Sequence, residues 1–454
     1  MSFPRYSAYK DSGVEWLGQV PGHWTVAPLK YRSSFNDEIL PETTPEDLEI
    51  EYVEISDVDA IRGIVGTSAI DFGEAPSRAR RLVKDGDVLV STVRTYLCAI
   101  APVKSPPENM VVSTGFAVVR PRHVDSDLLG YICRSEYVIS EIISRSVGVS
   151  YPAINASDLM RVKIAVPENR SEQSTVAAFL DRETGKIDAL VAEQEKLIAL
   201  LKEKRQAFIS YAVTKGLDPA VPMKDSGIEW LGEVPAHWTV QPVKYVVRTI
   251  EQGWSPQCEG RPVSGADQWG VLKVGCVNGG KFDPNENKLL PEALEPLPDL
   301  AIVAGDLLVS RANTRDLVGS AAVAPADYPN LMLCDKLYRL RLNESRCTPG
   351  YLALFLGING ARGQIELGAT GASDSMQNIA QSTILNLMGA FPPIGEQQLI
   401  ESFIDRQLQL LQNLELEAQR AIDLLEERRS ALISAAVTGK IDVRGTTDRT
   451  LGAA

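Results

Sequence analysis

Part of this chain is written twice. KDSGVEWLGQVPGHWTVAPLKY, from Lys10 to Tyr31, returns as KDSGIEWLGEVPAHWTVQPVKY, from Lys224 to Tyr245, identical at 17 of 22 positions. A second pair runs from Glu172 to Thr214 and from Glu396 to Thr438 and aligns without a gap. Its shared frame includes Glu172/Glu396, Gln173/Gln397, Phe179/Phe403, Asp181/Asp405, Arg182/Arg406, Arg205/Arg429 and a closing Ala-Val-Thr. Such duplication constrains the fold more than any local propensity, because each copy of the frame must fold the same way. Between the frames the halves diverge, leaving only echoes such as GDVLVS at Gly86 and GDLLVS at Gly305. A duplicated frame around two dissimilar inserts suits a molecule that reads two different things with one geometry.

The second frame element has helical spacing and no interior proline. Leu180, Ile187, Gln194, Leu201 and Phe208 fall seven apart, flanked by Leu190, Val191, Leu197 and Ile198; Ile404, Leu411, Ala418, Leu425 and Leu432 match them, with Leu414 and Ile422 alongside. A sustained seven-residue apolar repeat predicts coiled-coil packing, and the simplest partner for each helix is the other. Helices of about 40 residues would be roughly 60 Å long. An antiparallel pair related by a pseudo-twofold axis would hold the two inserts apart like a ruler.

The inserts, about Lys30 to Val166 and Lys244 to Phe391, read as mixed α/β. Short β-branched runs lie at Asp87–Val93, Gly115–Arg120, Gly270–Val277 and Asp306–Val309, and helical stretches at Asp127–Ile143 and Pro349–Gly360. The expected class is therefore α/β (α+β), with two mixed domains separated by two long antiparallel coiled-coil helices. The expected division is 1–166, a helix over 167–215, a second domain over 216–393, a helix over 394–438 and a flexible tail over 439–454.

Charge is uneven in the first insert. Ten acidic and no basic residues lie from Asp37 to Asp59, whereas Arg78, Arg80, Arg81, Lys84, Arg94 and Lys104 outnumber Asp85 and Asp87 from Arg78 to Lys104. The basic stretch predicts phosphate contact, with Arg94 and Tyr96 reaching bases; a solvated basic loop is the plainer alternative. In the second insert RANTR, holding Arg311, Asn313 and Arg315, follows GDLLVS. Arg and Asn suit bidentate contacts with guanine and adenine. GASDSMQN, with Ser373, Gln377 and Asn378, stands where GVSYPAIN, with Tyr151, stands in the first half.

Bulk properties exclude several classes. No apolar run approaches the eighteen or so residues needed to span a bilayer, and Met1-Ser-Phe-Pro-Arg-Tyr lacks a signal-peptide pattern, so a cytoplasmic protein with no membrane role is expected. Six scattered cysteines and three histidines offer little for zinc, and no metal site is expected. His23 and His237 adjoin Trp24 and Trp238 in the frame, which suggests packing or capping. No methyltransferase signature of the Asn/Asp-Pro-Pro-aromatic type and no GxxxxGK[ST] loop occurs, so no catalytic residue is assigned. A net charge of −13 argues against a free-standing DNA binder, though a docked subunit can borrow its partners' charge.

Taken together, the two opening frames, GDVLVS and GDLLVS, and the EQ-led helices introduced by PENRSEQ and PPIGEQQ resemble the specificity subunit of type I restriction-modification systems over nearly the whole chain. The resemblance implies two target recognition domains, each reading one half of an asymmetric, bipartite site in double-stranded DNA. It implies docking of two methylation subunits, which would use S-adenosylmethionine, and of restriction subunits, which would use ATP and Mg. It implies a non-catalytic chain that binds no cofactor directly and docks partners around Glu172/Glu396, Asp181/Asp405 and Arg205/Arg429. The competing readings are a two-domain protein adaptor joined by a coiled coil and a fused nuclease.

Overall fold

The computed structural model describes residues 3–265, 267–373 and 376–445, without the side chains of 372 and 373. They form two compact units, one from the described residues up to 195 together with those from 419 onward, the other from 196–418.

In the first unit Tyr9–Asp11 and Gln19–Pro21 make an antiparallel hairpin. Its turn is set by Asp11, whose side chain accepts from the Gly13 N–H at 2.9 Å, and by Gly13 at φ +67°. Trp24–Pro28 then pairs with Lys163–Pro167, so the chain enters and leaves the first insert side by side. The insert holds two four-stranded sheets. One has the order Ile100–Pro102, Val88–Ser91, Phe116–Pro121, Ser33–Phe35 and is antiparallel throughout. The other has the order Ser68–Asp71, Glu49–Val53, Met110–Ser113, Ala79–Leu82, with one parallel pair at its centre. Three helices follow: α1 (Ser126–Cys133), α2 (Glu136–Arg145) and α3 (Ala156–Leu159). The single helical stretch expected over Asp127–Ile143 is thus two, broken at Arg134–Ser135. The Asp125 side chain caps α1 by accepting from the N–H groups of Asp127 and Leu128.

The second unit repeats this plan. Its hairpin is Met223–Asp225 with Glu233–Pro235, and Thr239–Pro242 pairs with Met388–Phe391. Its first sheet runs Ala321–Val323, Leu307–Ser310, Leu337–Leu342, Val247–Gln252; its second runs Asn287–Leu289, Gly270–Leu272, Tyr328–Met332, Ala301–Ile302, again with one parallel central pair. Two inserts without visible sequence similarity therefore share strand order and direction. The echoed GD-LVS is part of the reason. Asp87 and Asp306 are both buried, and each accepts a backbone N–H three residues back and an arginine from the neighbouring strand, Arg120 or Arg339. The run expected as a strand over Gly270–Val277 stops at Leu272; Val274–Gly280 makes 3₁₀ turns interrupted by a kink at Asn278 and Gly279, the latter at positive φ. The helices are α5 (Pro349–Leu356), α6 (Asn359–Leu367) and α7 (Gln381–Leu385).

Two long helices complete both units: α4 (Arg170–Lys215) and α8 (Ile394–Val437). In the first unit the beginning of α4 and the end of α8 share a core, with Phe179 and Leu180 beside Ile433, Ala436 and Val437. In the second the end of α4 meets the beginning of α8, with Ile209 and Ala212 beside Ile400 and Ile404. The helices thus run in opposite senses. Ile187, Leu201, Leu411, Ala418 and Ile422 are buried along them, as the seven-residue repeat requires. Leu190, Leu197 and Leu414, expected beside that seam, face solvent. Leu190 and Leu197 each stand one residue before the half-buried Val191 and Ile198, which turns them off the seam.

Gly439–Gly445, expected as part of a flexible tail, packs on the first unit. The Asp442 N–H donates to the Pro4 carbonyl at 2.8 Å, Val443 is fully buried, and the Arg444 guanidinium lies 4.7 Å from the Tyr6 ring centroid. The remainder of the tail lies outside the described residues.

Candidate nucleic-acid interface

The duplicated frame turns out to be architecture. Trp24 is fully buried and donates its indole N–H to Glu172 at 3.0 Å, while His23 Nε2 lies 2.9 Å from the same carboxylate. Trp238 and His237 bind Glu396 in the same way, at 3.1 and 2.8 Å. The other end of each pocket is closed by the end of the opposite long helix: a side chain on Gly439 would collide with Pro21 and crowd Trp24, and one on Gly216 would crowd Trp238. Each Trp therefore fastens the start of one helix to the end of the other. Gln173 and Gln397, almost wholly buried, do a second job. Gln173 accepts from the Asp125 N–H and donates to the Pro167 carbonyl; Gln397 accepts from the Thr348 N–H and donates to the Pro392 carbonyl.

These contacts correct the expected docking surface. Glu172 is buried and Glu396 half-buried, each held by the indole of its tryptophan. Asp181 stays exposed although it accepts from the Tyr131 hydroxyl at 2.7 Å; burial first, then this carboxylate, push that phenol up to about 12. Arg429 donates to Asp188 at 2.8 Å. Asp405 is exposed and Arg205 half-buried. Two other duplicated positions are exposed in both copies: Lys30–Tyr31 and Lys244–Tyr245, each lysine about 5 Å from its tyrosine ring. Their signal in the sequence is identity between copies, which alone does not distinguish packing from surface.

The basic stretch of the first insert is partly neutralised from within. Lys84 and Arg120 both bind Glu38, and together they hold its carboxyl below the usual range; Lys104 pairs with Asp127 at 3.1 Å. Arg80 lies 4.5 Å from the Phe72 ring centroid. Arg81 is half-buried, and loss of solvent pushes its guanidinium down. Arg80 and Arg81, expected on DNA, are therefore turned against their own domain. Arg78 and Arg94 are exposed and line a cavity of about 490 Å³ with Glu54, Ile55, Ser56, Val93, Ser113 and Tyr151. The Arg94 guanidinium lies 5.1 Å from the Tyr151 ring centroid, and Tyr96 is exposed nearby in sequence.

Two separate stretches meet there. Ala153 bridges both Val93 and Val147, and the Ile154 N–H donates to the Thr92 carbonyl. The second unit makes the same junction with more regular strands: Ala312–Asn313 pairs with Met376–Asn378, which pairs with Thr370–Ser373. Here the Ile379 N–H donates to the Arg311 carbonyl. RANTR and GASDSMQN are thereby brought together, with Asn313 opposite Gln377 and Asn378 half-buried one step along. Arg311 is tied back, its Nη1 donating to the Asp335 carbonyl at 3.3 Å, while Arg315 is exposed. The side chain of Ser373 lies outside the described residues. Among the described residues no group of three His, Cys, Asp or Glu could hold a metal, and no helix is long and apolar enough to cross a membrane.

No protein-family model matches the chain. It is 27% identical over 242 residues to the specificity subunit of the type I restriction enzyme EcoEI from Escherichia coli, a match covering 53% of this chain and 40% of that relative. Against the EcoKI specificity subunit of Escherichia coli K12 the identity is 21% over 440 residues, covering 93% and 90%. A solved structure described as the basis of complex assembly and conformational transition of a type I restriction-modification system has a TM-score of 0.69 and 22% identity, covering 92% of this chain and 98% of its own. That likeness establishes the shared fold.

Proposed function

We infer that this chain is a specificity subunit of a type I restriction-modification system and reads a bipartite, asymmetric site in double-stranded DNA. The observation that carries the reading is the matched junction: two inserts of one topology bring different side chains to the same place, on a frame present twice. Arg78, Arg94, Tyr96 and Tyr151 form the contact set of the first insert; Asn313, Arg315, Gln377 and Asn378 form that of the second. Such sets combine phosphate anchoring with groups able to read base edges. The long helices set the spacing between the half-sites.

The chain acts without a catalytic centre of its own. Two methylation subunits, using S-adenosylmethionine, dock on the duplicated frame, and restriction subunits using ATP and Mg complete the assembly. Docking falls on the outward helix faces, where Leu190 and Leu414, and Leu200 and Leu424, are exposed at matching positions, with Arg205 and Asp405 nearby in sequence. Apolar side chains exposed twice at equal positions fit two copies of one partner better than solvent. A net charge of −13 fits a chain that needs those partners to hold DNA.

The test is to express the chain with its methylation subunits and map methylated adenines across a host genome. A single motif of two short, unlike half-sites at fixed spacing is expected. Methylation absent, or confined to one continuous motif, would overturn the reading.

A further inference from the structure

Aligning the two junctions by their backbone pairing identifies one position that holds different chemistry in each unit. Val93 bridges Ala153 where Ala312 pairs with Asn378, and Ile154 bonds to Thr92 where Ile379 bonds to Arg311. By this register Arg94 and Asn313 are equivalent, as are Tyr151 and Met376. Resting on the reading above, we propose that this position selects a base in each half-site: Arg94 takes guanine in one, and Asn313 takes adenine in the other.

Both side chains are held ready. Arg94 is left-handed at φ 51° and ψ 49°, a conformation that a non-glycine residue keeps only where its surroundings enforce it. The enforcement comes from Thr95, which is buried, bonds to the Ser146 hydroxyl at 2.8 Å and donates its N–H to the Pro152 carbonyl. The guanidinium lies 5.1 Å from the Tyr151 ring centroid and lines the cavity. No carboxylate pairs with it among the described residues, so the fork is free for guanine O6 and N7. The Asn313 amide is oriented by two bonds: its oxygen accepts from the Thr314 N–H at 2.9 Å and its nitrogen donates to Asn278 Oδ1 at 3.2 Å. One lone pair and one N–H remain, the pattern that adenine N6 and N7 require. The gap-free continuation of GDVLVS and GDLLVS puts the same two residues in register, although STVRT and SRANT share little beyond their ends.

The test uses the full chain in complex with its methylation subunits and compares methylated motifs for the natural chain, Arg94→Ala, Arg94→Lys and Asn313→Ala. Arg94→Ala should lower discrimination at one G·C pair of one half-site by about tenfold to a hundredfold and leave the other half-site intact. Arg94→Lys should lose much of it too, since an ammonium lacks the fork. Asn313→Ala should relax one A·T pair in the opposite half-site. Intact marking of the untouched half-site certifies folding in each variant. A bipartite motif whose G·C preference survives Arg94→Ala, or in which Arg94→Lys behaves as the natural chain, overturns this assignment alone. A natural complex that marks no bipartite motif overturns the functional reading with it.

Discussion

The two units differ least in the frame they share and most at the matched junctions of their inserts. Trp24 and Trp238, Glu172 and Glu396, and Gln173 and Gln397 share a set of bonds made in the same directions. At the matched junctions Arg94 faces Tyr151 in one unit and Asn313 stands opposite Gln377 in the other. The chemistry of these positions changes freely because the backbone pairing beneath them needs no particular side chain. A frame held by buried, directional bonds can thus carry interchangeable surfaces, and stability measurements show whether the two frames are energetically alike.

The largest effect is expected at the tryptophans. Each is almost fully buried and fastens two helices, so Trp24→Ala and Trp238→Ala should each cost about 3–5 kcal/mol, by cavity formation and the loss of an indole donor to a carboxylate, buried at Glu172 and half-buried at Glu396. Urea unfolding followed by hydrogen exchange would locate each loss, with the first substitution loosening residues of the first unit and the second those of the other. Equal losses in both units from either substitution would show that the frames are not separate fasteners.

A smaller effect distinguishes the two glutamines. Replacing either by leucine strands a helix-cap N–H and a strand-end carbonyl, at a cost of about 1–3 kcal/mol. Gln397 makes two further bonds, donating to the Arg346 carbonyl at 2.9 Å and accepting from the Thr348 hydroxyl at 3.3 Å. Gln397→Leu should therefore lower the urea midpoint more than Gln173→Leu. The reverse order would mean that the extra bonds contribute nothing and that the pair is matched after all.

Much of this was legible because duplication acts on the whole sequence at once. The two long helices, the two inserts and their common framing follow from aligned copies and a seven-residue repeat. The direction in which a framed side chain points does not: Glu172 reads equally well as surface or interior until the indole of Trp24 is seen beside it. The basic stretch misled for a related reason. Whether Lys84 is available for DNA depends on Glu38, 46 residues earlier, and whether Arg80 is available depends on Phe72. The common sheet topology of the inserts was also hidden, since any alternation of apolar residues satisfies the same ladders. What remained readable of it was GD-LVS, where a buried aspartate must meet its arginine.

The smallest expected effect tests a place where the frame copies disagree. Glu401 on α8 occupies the position that Ala177, almost fully buried, occupies on α4. Loss of solvent raises the Glu401 carboxyl above its ordinary value, although bonds from the Thr348 hydroxyl and the Tyr351 N–H pull the other way. A carboxyl whose folded pKa exceeds its unfolded pKa gives stability that is complete below the unfolded value and is lost as pH rises through the folded one. The second unit should therefore weaken slightly from pH 4 toward pH 7 for a reason the first unit lacks. Glu401→Gln keeps the shape and cannot ionise, so its melting temperature relative to the natural chain should rise across that interval. A constant difference between the two proteins at every pH would mean that the Thr348 and Tyr351 bonds offset desolvation at this carboxyl. In that case the disagreement between the frame copies is one of packing and not of charge.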